Sequence, residues 1–235
     1  MTLRTIKTIF LLLVATLASY TTYATSAWKA GTTIGQTEIK KEGINQLFAI
    51  DTISNEIFSR INGKSFTPNK HISRSSLRYL RIIHHDGKGN IVRGEMICNK
   101  AIAAALIDIF KQLYMANYPI ERMMLIDNYD ADDESSMTAN NTSSFCYRAV
   151  AGTKSISRHS YGMAVDINPL YNPCVKTRNG KLRVQPAVGK KWANRSNKNK
   201  YTISRGDLCY RLFKAHGFRW GGEWKSLKDY QHFEK

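Results

Sequence analysis

The residues best suited to chemistry lie in one run, Ser157-Arg158-His159-Ser160-Tyr161-Gly162-Met163-Ala164-Val165-Asp166-Ile167-Asn168-Pro169. Read as a strand, Met163 to Ile167 puts Met163, Val165 and Ile167 on one face and Gly162, Ala164 and Asp166 on the other. The first face suits a core. The second has small side chains and ends in a carboxylate, which leaves room above the sheet for a ligand. His159 precedes the strand, and Gly162 permits a tight backbone between them. An imidazole and a carboxylate converging on one open space are suitable zinc ligands. A catalytic zinc site needs a third protein ligand, and the chain offers His232 beside Asp229 near its end. On a regular strand these two point to opposite faces, so convergence requires a turn near Tyr230, with Phe233 anchoring the end in the core. The remaining histidines are weaker candidates: His84 and His85 sit at a hairpin, His71 in a polar segment, and His216 at a helix end where a cation is favourable anyway.

Those residues need a scaffold. Leu77 to His84 and Ile91 to Cys98 read as two strands joined by the turn Asp86-Gly87-Lys88-Gly89-Asn90. Asn99 to Tyr118 is a helix, with Ile102, Leu106, Ile109, Phe110 and Leu113 at helical spacing and Pro119 as its stop. Ile44 to Ile61 suggests at least one short helix. Met123 to Ile126 and Ser144 to Val150 read as strands, separated by an acidic polar loop from Asp127 to Asn141. Tyr171 to Asn199 is a long basic excursion. Ser204 to His216 reads as a helix, opened by Ser204-x-x-Asp207 as a capping box and closed by Gly217. The mixture predicts an α+β fold: a single domain with a largely antiparallel sheet flanked by helices.

Of 235 residues, 43% are hydrophobic and 23% charged, which excludes disordered and collagen-like chains. Lys and Arg number 35 against 18 acids, so a net charge of +17 draws the chain to polyanions without naming a function. Met1 to Ala27 has the pattern of a secretory signal peptide: Arg4 and Lys7, an apolar run from Ile9 to Ala15, then small residues at Ala24, Ser26 and Ala27. The run falls short of the roughly 20 apolar residues of a membrane span, and no other stretch approaches that length. The expectation is therefore an exported protein of the periplasm or cell envelope, with no stable membrane span after signal cleavage. Export, and the lack of a recognisable nucleic-acid motif, set nucleic acid aside as a partner. Cys98, Cys146, Cys174 and Cys209 permit two disulfides in an oxidising compartment, or four free buried thiols. No Cys-x-x-Cys pair is present, which disfavours a thiolate zinc knuckle.

Ser157-x-His159-x-x-Gly162-x-Ala164-x-Asp166, followed far downstream by Asp229-x-x-His232, resembles the VanY-type D-alanyl-D-alanine carboxypeptidase and L-alanyl-D-glutamate endopeptidase family of zinc peptidases. The resemblance covers roughly Leu77 to the end, including Gly94-Glu95-Met96-Ile97-Cys98-Asn99 and Asn141-Thr142-Ser143-Ser144-Phe145. It implies a hedgehog-like zinc peptidase fold with the peptidase domain over 76–235; residues 28–75, between the signal peptide pattern of 1–27 and that domain, form an N-terminal extension that the resemblance does not explain. It implies Zn²⁺ held by His159, Asp166 and His232, with Asp229 as general base. It also implies an arginine near the metal, for which Arg148 is the candidate and Arg122 the runner-up. The implied substrate is a peptidoglycan stem peptide, cut at the L-alanyl-D-glutamate bond or at the terminal D-alanine. Some relatives carry glutamate where Asp229 stands, and the aspartate is closer to the endopeptidase branch. The competing expectation is a non-catalytic zinc- or cell-wall-binding module of the same fold.

Overall fold

The computed structural model describes residues 28–235 apart from 151, 152 and 154; residues 1–27, where a signal peptide is expected, lie outside the described residues. The chain opens with helix α1 (Gln36–Glu42), strand β1 (Ala49–Thr52) and helix α2 (Asn55–Ile61). Ile44 to Ile61 thus holds more than one short helix. A tight turn covers Ile44–Leu47, and Ser54 caps α2 by accepting from Ile57 N at 3.1 Å. Strands β2 (Leu77–His85) and β3 (Ile91–Asn99) form the expected hairpin, in register from Leu77↔Asn99 to His85↔Ile91, and β1 pairs with the outer edge of β2. Asp86 Oδ1 closes the hairpin turn by accepting from Lys88 N and Asn90 N.

Helix α3 (Lys100–Met115) begins where β3 ends, because Asn99 Oδ1 accepts from Ala101 N at 3.0 Å and caps it. Its apolar stripe of Ile102, Leu106, Ile109, Phe110 and Leu113 lies in the main core. Ile34, Ile39, Leu47 and Phe48 belong to that same core, so residues 28–75 are packed with the rest of the chain.

Between α3 and the histidine motif come β4 (Arg122–Met123), helix α4 (Asp133–Thr138) and β5 (Asn141–Thr142). The strand expected over Met123 to Ile126 is only a two-residue parallel pairing with β5, and a tight turn follows at Ile126–Tyr129. The expected acidic loop contains α4, a polar helix with no apolar repeat to reveal it, capped by Asp132. Ser144 to Val150 is extended but is not a strand. Its amides go one by one to different partners: Phe145 N to Ile97 O, Cys146 N to His159 O, Tyr147 N to Ser65 O and Arg148 N to Ser160 Oγ. No continuous ladder can form from such contacts.

The C-terminal part contains β6 (Ala164–Asp166), β7 (Cys174–Arg178), β8 (Lys181–Gln185), helix α5 (Leu208–Ala215), β9 (Arg219–Trp220), β10 (Lys228–Asp229) and β11 (His232–Glu234). They make two antiparallel sheets, ordered β6-β11-β9 and β10-β7-β8. Helix α5 starts at Leu208, with Asp207 as its cap accepting from Tyr210 N at 2.7 Å; Ser204 serves one step earlier, accepting Asp207 N through its carbonyl. Val165, Ile167 and Phe233 are fully buried, and Phe233 stacks on Phe213 with ring centroids 4.2 Å apart. Burying a side chain of that size is worth about 2–3 kcal/mol, which pins the strand that carries His232. The result is the expected α+β domain. All four cysteines are free: Cys98 and Cys209 lie in the main core, Cys146 beside Ala131 and Cys174 beside Asp229. None of the described helices is long and apolar enough to cross a membrane.

Candidate metal centre

Three local structures deliver the converging side chains. His159 stands on a tight turn, Arg158–Tyr161, where Ser157 Oγ accepts from His159 N at 3.2 Å. Gly162 follows with φ +63°, and a Cβ there would lie 2.6 Å from Asn99 N, so only glycine lets the turn press against the end of β3. Asn99 locks that contact, its N donating to Gly162 O and its Nδ2 to Tyr161 O, both at 2.9 Å. Asp166 ends β6 and is paired directly with His232 on β11. The chain turns at Tyr230 and Gln231, as convergence of Asp229 and His232 demands. Gly221 makes room for that turn: a Cβ on it would lie 2.6 Å from Asp229 O, 2.8 Å from Asp229 Cβ and 3.3 Å from His232 Cβ.

The donor atoms meet. His159 Nε2 lies 3.2 Å from His232 Nδ1 and 3.3 Å from Asp166 Oδ2, and His232 Nδ1 lies 3.0 Å from Asp166 Oδ1. Ligands about 2.0–2.1 Å from one tetrahedral ion are separated by about 3.3 Å, which matches this spacing. Both rings are oriented from behind. His159 Nδ1–H donates to Ser144 O at 2.6 Å, and His232 Nε2–H donates to Glu234 Oε2 at 3.3 Å. Glu234 is itself held by Arg219 Nη2 at 2.6 Å. The inward nitrogens and the carboxylate therefore converge on one point, an arrangement that a cation completes, either a metal ion or a proton on His232. Its electrostatics agree. Burial opposes a charged His232, but hydrogen bonds from its ring to Asp166 and Glu234 outweigh burial and lift it to about 10. Burial likewise opposes a charged Asp166, yet the neighbouring histidines hold it well below the ordinary carboxylate range. Two imidazoles and one carboxylate form a donor set suited to zinc.

Asp229 and Arg148 border this cluster. Asp229 Oδ1 is sealed from solvent without a hydrogen-bond partner. Burial raises its carboxyl to about 6, with His232 pulling it down and Asp166 pushing it up. Arg148 Nε lies 2.5 Å from Asp133 Oδ2, an ion pair whose N–H is not aligned for a hydrogen bond. Arg148 also feels the charge of Asp166, and Asp133 that of His159 and Asp166. Arg122, the runner-up, is exposed on β4 beside Tyr129. The half-buried Trp224 ring stands 5.2 Å from the His232 ring and walls that side. The other histidines have separate partners: His84 bonds Ile120 O, His85 stacks on Tyr114, His71 neighbours Tyr147 and Tyr161, and His216 meets Asp108.

Sequence reasoning passed over Glu234, Ser144, Asp133 and Gly221. Glu234 had a readable signal, because a residue two along a strand from His232 shares its face. Ser144 acts through its carbonyl, which no side-chain pattern can announce. Asp127 accepts from Ser65 N and Oγ, Asp130 pairs with Lys64, Asp132 caps α4 and Asp133 pairs with Arg148.

No solved structure gives a significant match to this chain. Residues 151–235, the stretch that carries His159, Asp166, Asp229 and His232, match the family model described as D-alanyl-D-alanine carboxypeptidase, a VanY-like zinc peptidase family, and the resemblance read from the two motifs holds over that stretch.

Proposed function

We propose that this protein is an exported zinc metallopeptidase that hydrolyses peptide bonds in peptidoglycan stem peptides. The observation that carries this reading is the approach of His159 Nε2, His232 Nδ1 and the Asp166 carboxylate to within 3.0–3.3 Å of one another, inside the stretch matched by the family model. His159, Asp166 and His232 would hold the ion, with Ser144 and Glu234 fixing the two rings. A bound zinc ion supplies a water acidified to a pKa of about 7 and polarises the scissile carbonyl. Asp229 accepts the proton of the attacking water and returns it to the leaving amine, a contribution of about 10²–10⁴-fold. Its unpartnered Oδ1 is the acceptor free for that task. Arg148, steadied by Asp133, binds a substrate carboxylate or the developing oxyanion. Trp224 shields the His232 side.

Export rests on the signal pattern of residues 1–27, and the stem peptide on the family resemblance and on the match between its carboxylates and a strongly basic chain. Asp229-x-x-His232 favours the L-alanyl-D-glutamate bond, whereas the matched family's description favours the terminal D-alanine. Metal analysis of the purified protein, together with digestion of purified peptidoglycan and masses of the products, tests all of this. Zinc is expected, with product masses that name the bond. Metal without products would leave a binding module, and neither metal nor products would overturn the reading.

A further inference from the structure

The sheet β10-β7-β8 runs outward from the site. Its register pairs Asp229 with Cys174, Cys174 with Gln185, and Lys176 with Arg183. Directly paired residues share a face, and so do alternate residues along a strand. Asp229, Cys174 and Gln185 therefore form one row, Lys176 and Arg183 the next on the same face, and Lys181 lies beyond, with rows about 6–7 Å apart. Like charges placed directly opposite each other destabilise a sheet. Here Lys176 stands opposite Arg183, and among the described residues no acid lies within ion-pair distance of Lys176, Lys181 or Arg183. Residues 167–206 include no Asp or Glu at all. An arrangement that costs stability in the free protein makes sense where an anion completes it.

We propose that this face of the β7–β8 hairpin is a docking surface for a carboxylate-bearing strand of the substrate polymer, held by charge and led toward Asp229. The identity of that polymer as peptidoglycan rests on the function proposed above; the demand for an anionic strand does not. A bilayer surface fits less well, since Leu182, 52% exposed, alternates to the opposite face and does not share the surface with the cations.

The test compares the full chain with a Lys176→Gln, Lys181→Gln, Arg183→Gln variant. Sedimentation with purified sacculi at rising salt measures docking, and cleavage rates on sacculi and on a short amidated peptide measure its use. Wild-type binding should weaken with salt, and the variant should lose about tenfold in affinity and about tenfold in the ratio of sacculus to short-peptide cleavage. Equal binding and an equal ratio would overturn the proposal even if both proteins carry zinc and cut peptide. Retention by phosphatidylglycerol vesicles without retention by sacculi would also overturn it, in favour of a lipid surface. If wild type neither holds zinc nor cuts, the proposed activity fails on its own, and sedimentation still decides the hairpin. Lys176→Gln alone should raise the thermal midpoint by relieving repulsion; a lowered midpoint would count against the charge pairing.

Discussion

Two buried polar clusters in this molecule use similar side chains to opposite ends. In the first, Glu95 is 1% exposed and fully answered. Arg60 grips both its oxygens at 2.8 and 2.5 Å, Tyr79 donates to it at 2.7 Å, and Asn128 Nδ2 and Leu125 N lie at 3.4 and 3.5 Å. Burial would raise its pKa, but the Arg60 and Tyr79 bonds hold it below the ordinary range. In the second, His159, Asp166 and His232 turn two ring nitrogens and a carboxylate toward one point, and Asp229 keeps a sealed oxygen with no partner. A buried charge closed by the chain's own donors holds the fold together. A buried set left open calls for something the chain does not contain.

The sharpest way to break that contrast is Asp229→Asn. It should keep zinc, because Asp229 is not among the three converging side chains, and lose cleavage by about 10²–10⁴-fold. His159→Ala should lose both zinc and cleavage. Metal content and turnover on peptidoglycan check the pair, and full cleavage by Asp229→Asn would remove it as the base. The opposite is expected of Glu95→Gln. Arg60 is then left unpaired in a partly buried place, at a cost of about 3–5 kcal/mol for a buried pair and toward the lower end here, since Arg60 is 35% exposed. Urea unfolding should show the loss while zinc content per folded chain stays unchanged. Loss of metal at intact stability would mean that the closed cluster serves the site.

His84 sharpens the comparison from another side. Its Nδ1–H donates to Ile120 O at 2.6 Å, while Nε2 is buried without a partner. Burial lowers its pKa from 6.5 to about 4, against the opposing pull of Ile120 O and Asp86. Between those values the unfolded chain binds a proton that the native ring refuses, so unfolding gains ground as pH falls. Stability from this group is intact above about 6.5 and declines until about 4, by about 3 kcal/mol at most. Unfolding free energies of wild type and His84→Gln across that window should converge as pH drops. A constant gap would show that His84 does not carry the dependence.

Long apolar patterns made the scaffold legible. The β2–β3 hairpin, α3 and the buried Val165 and Ile167 follow from period-two and helical spacing alone. The convergence of His159 and Asp166 was legible for a different reason, because glycine and small neighbours mark where the backbone must come close, and His232 was legible through its pairing with that motif. Polar helix α4 stayed hidden for want of an apolar stripe, and the 144–150 segment misled because β-type residues there find single partners rather than a ladder. Ser144 O and the Asp133–Arg148 pair depend on tertiary approach, which residue spacing does not encode.

The smallest expected effect belongs to Ser157, which caps the turn that presents His159 without touching the convergence point. Ser157→Ala removes one side-chain acceptor and leaves His159 N to seek another, a loss of about 1 kcal/mol of the kind seen at helix caps. His159 is still held by Ser144 O behind the ring and by Cys146 N on its carbonyl, so its Nε2 should stay aimed and zinc affinity should fall less than tenfold. Chelator competition and urea unfolding read the two quantities separately. Complete loss of metal with unchanged stability would reverse the assignment and move Ser157 from the support of the turn to the ion itself.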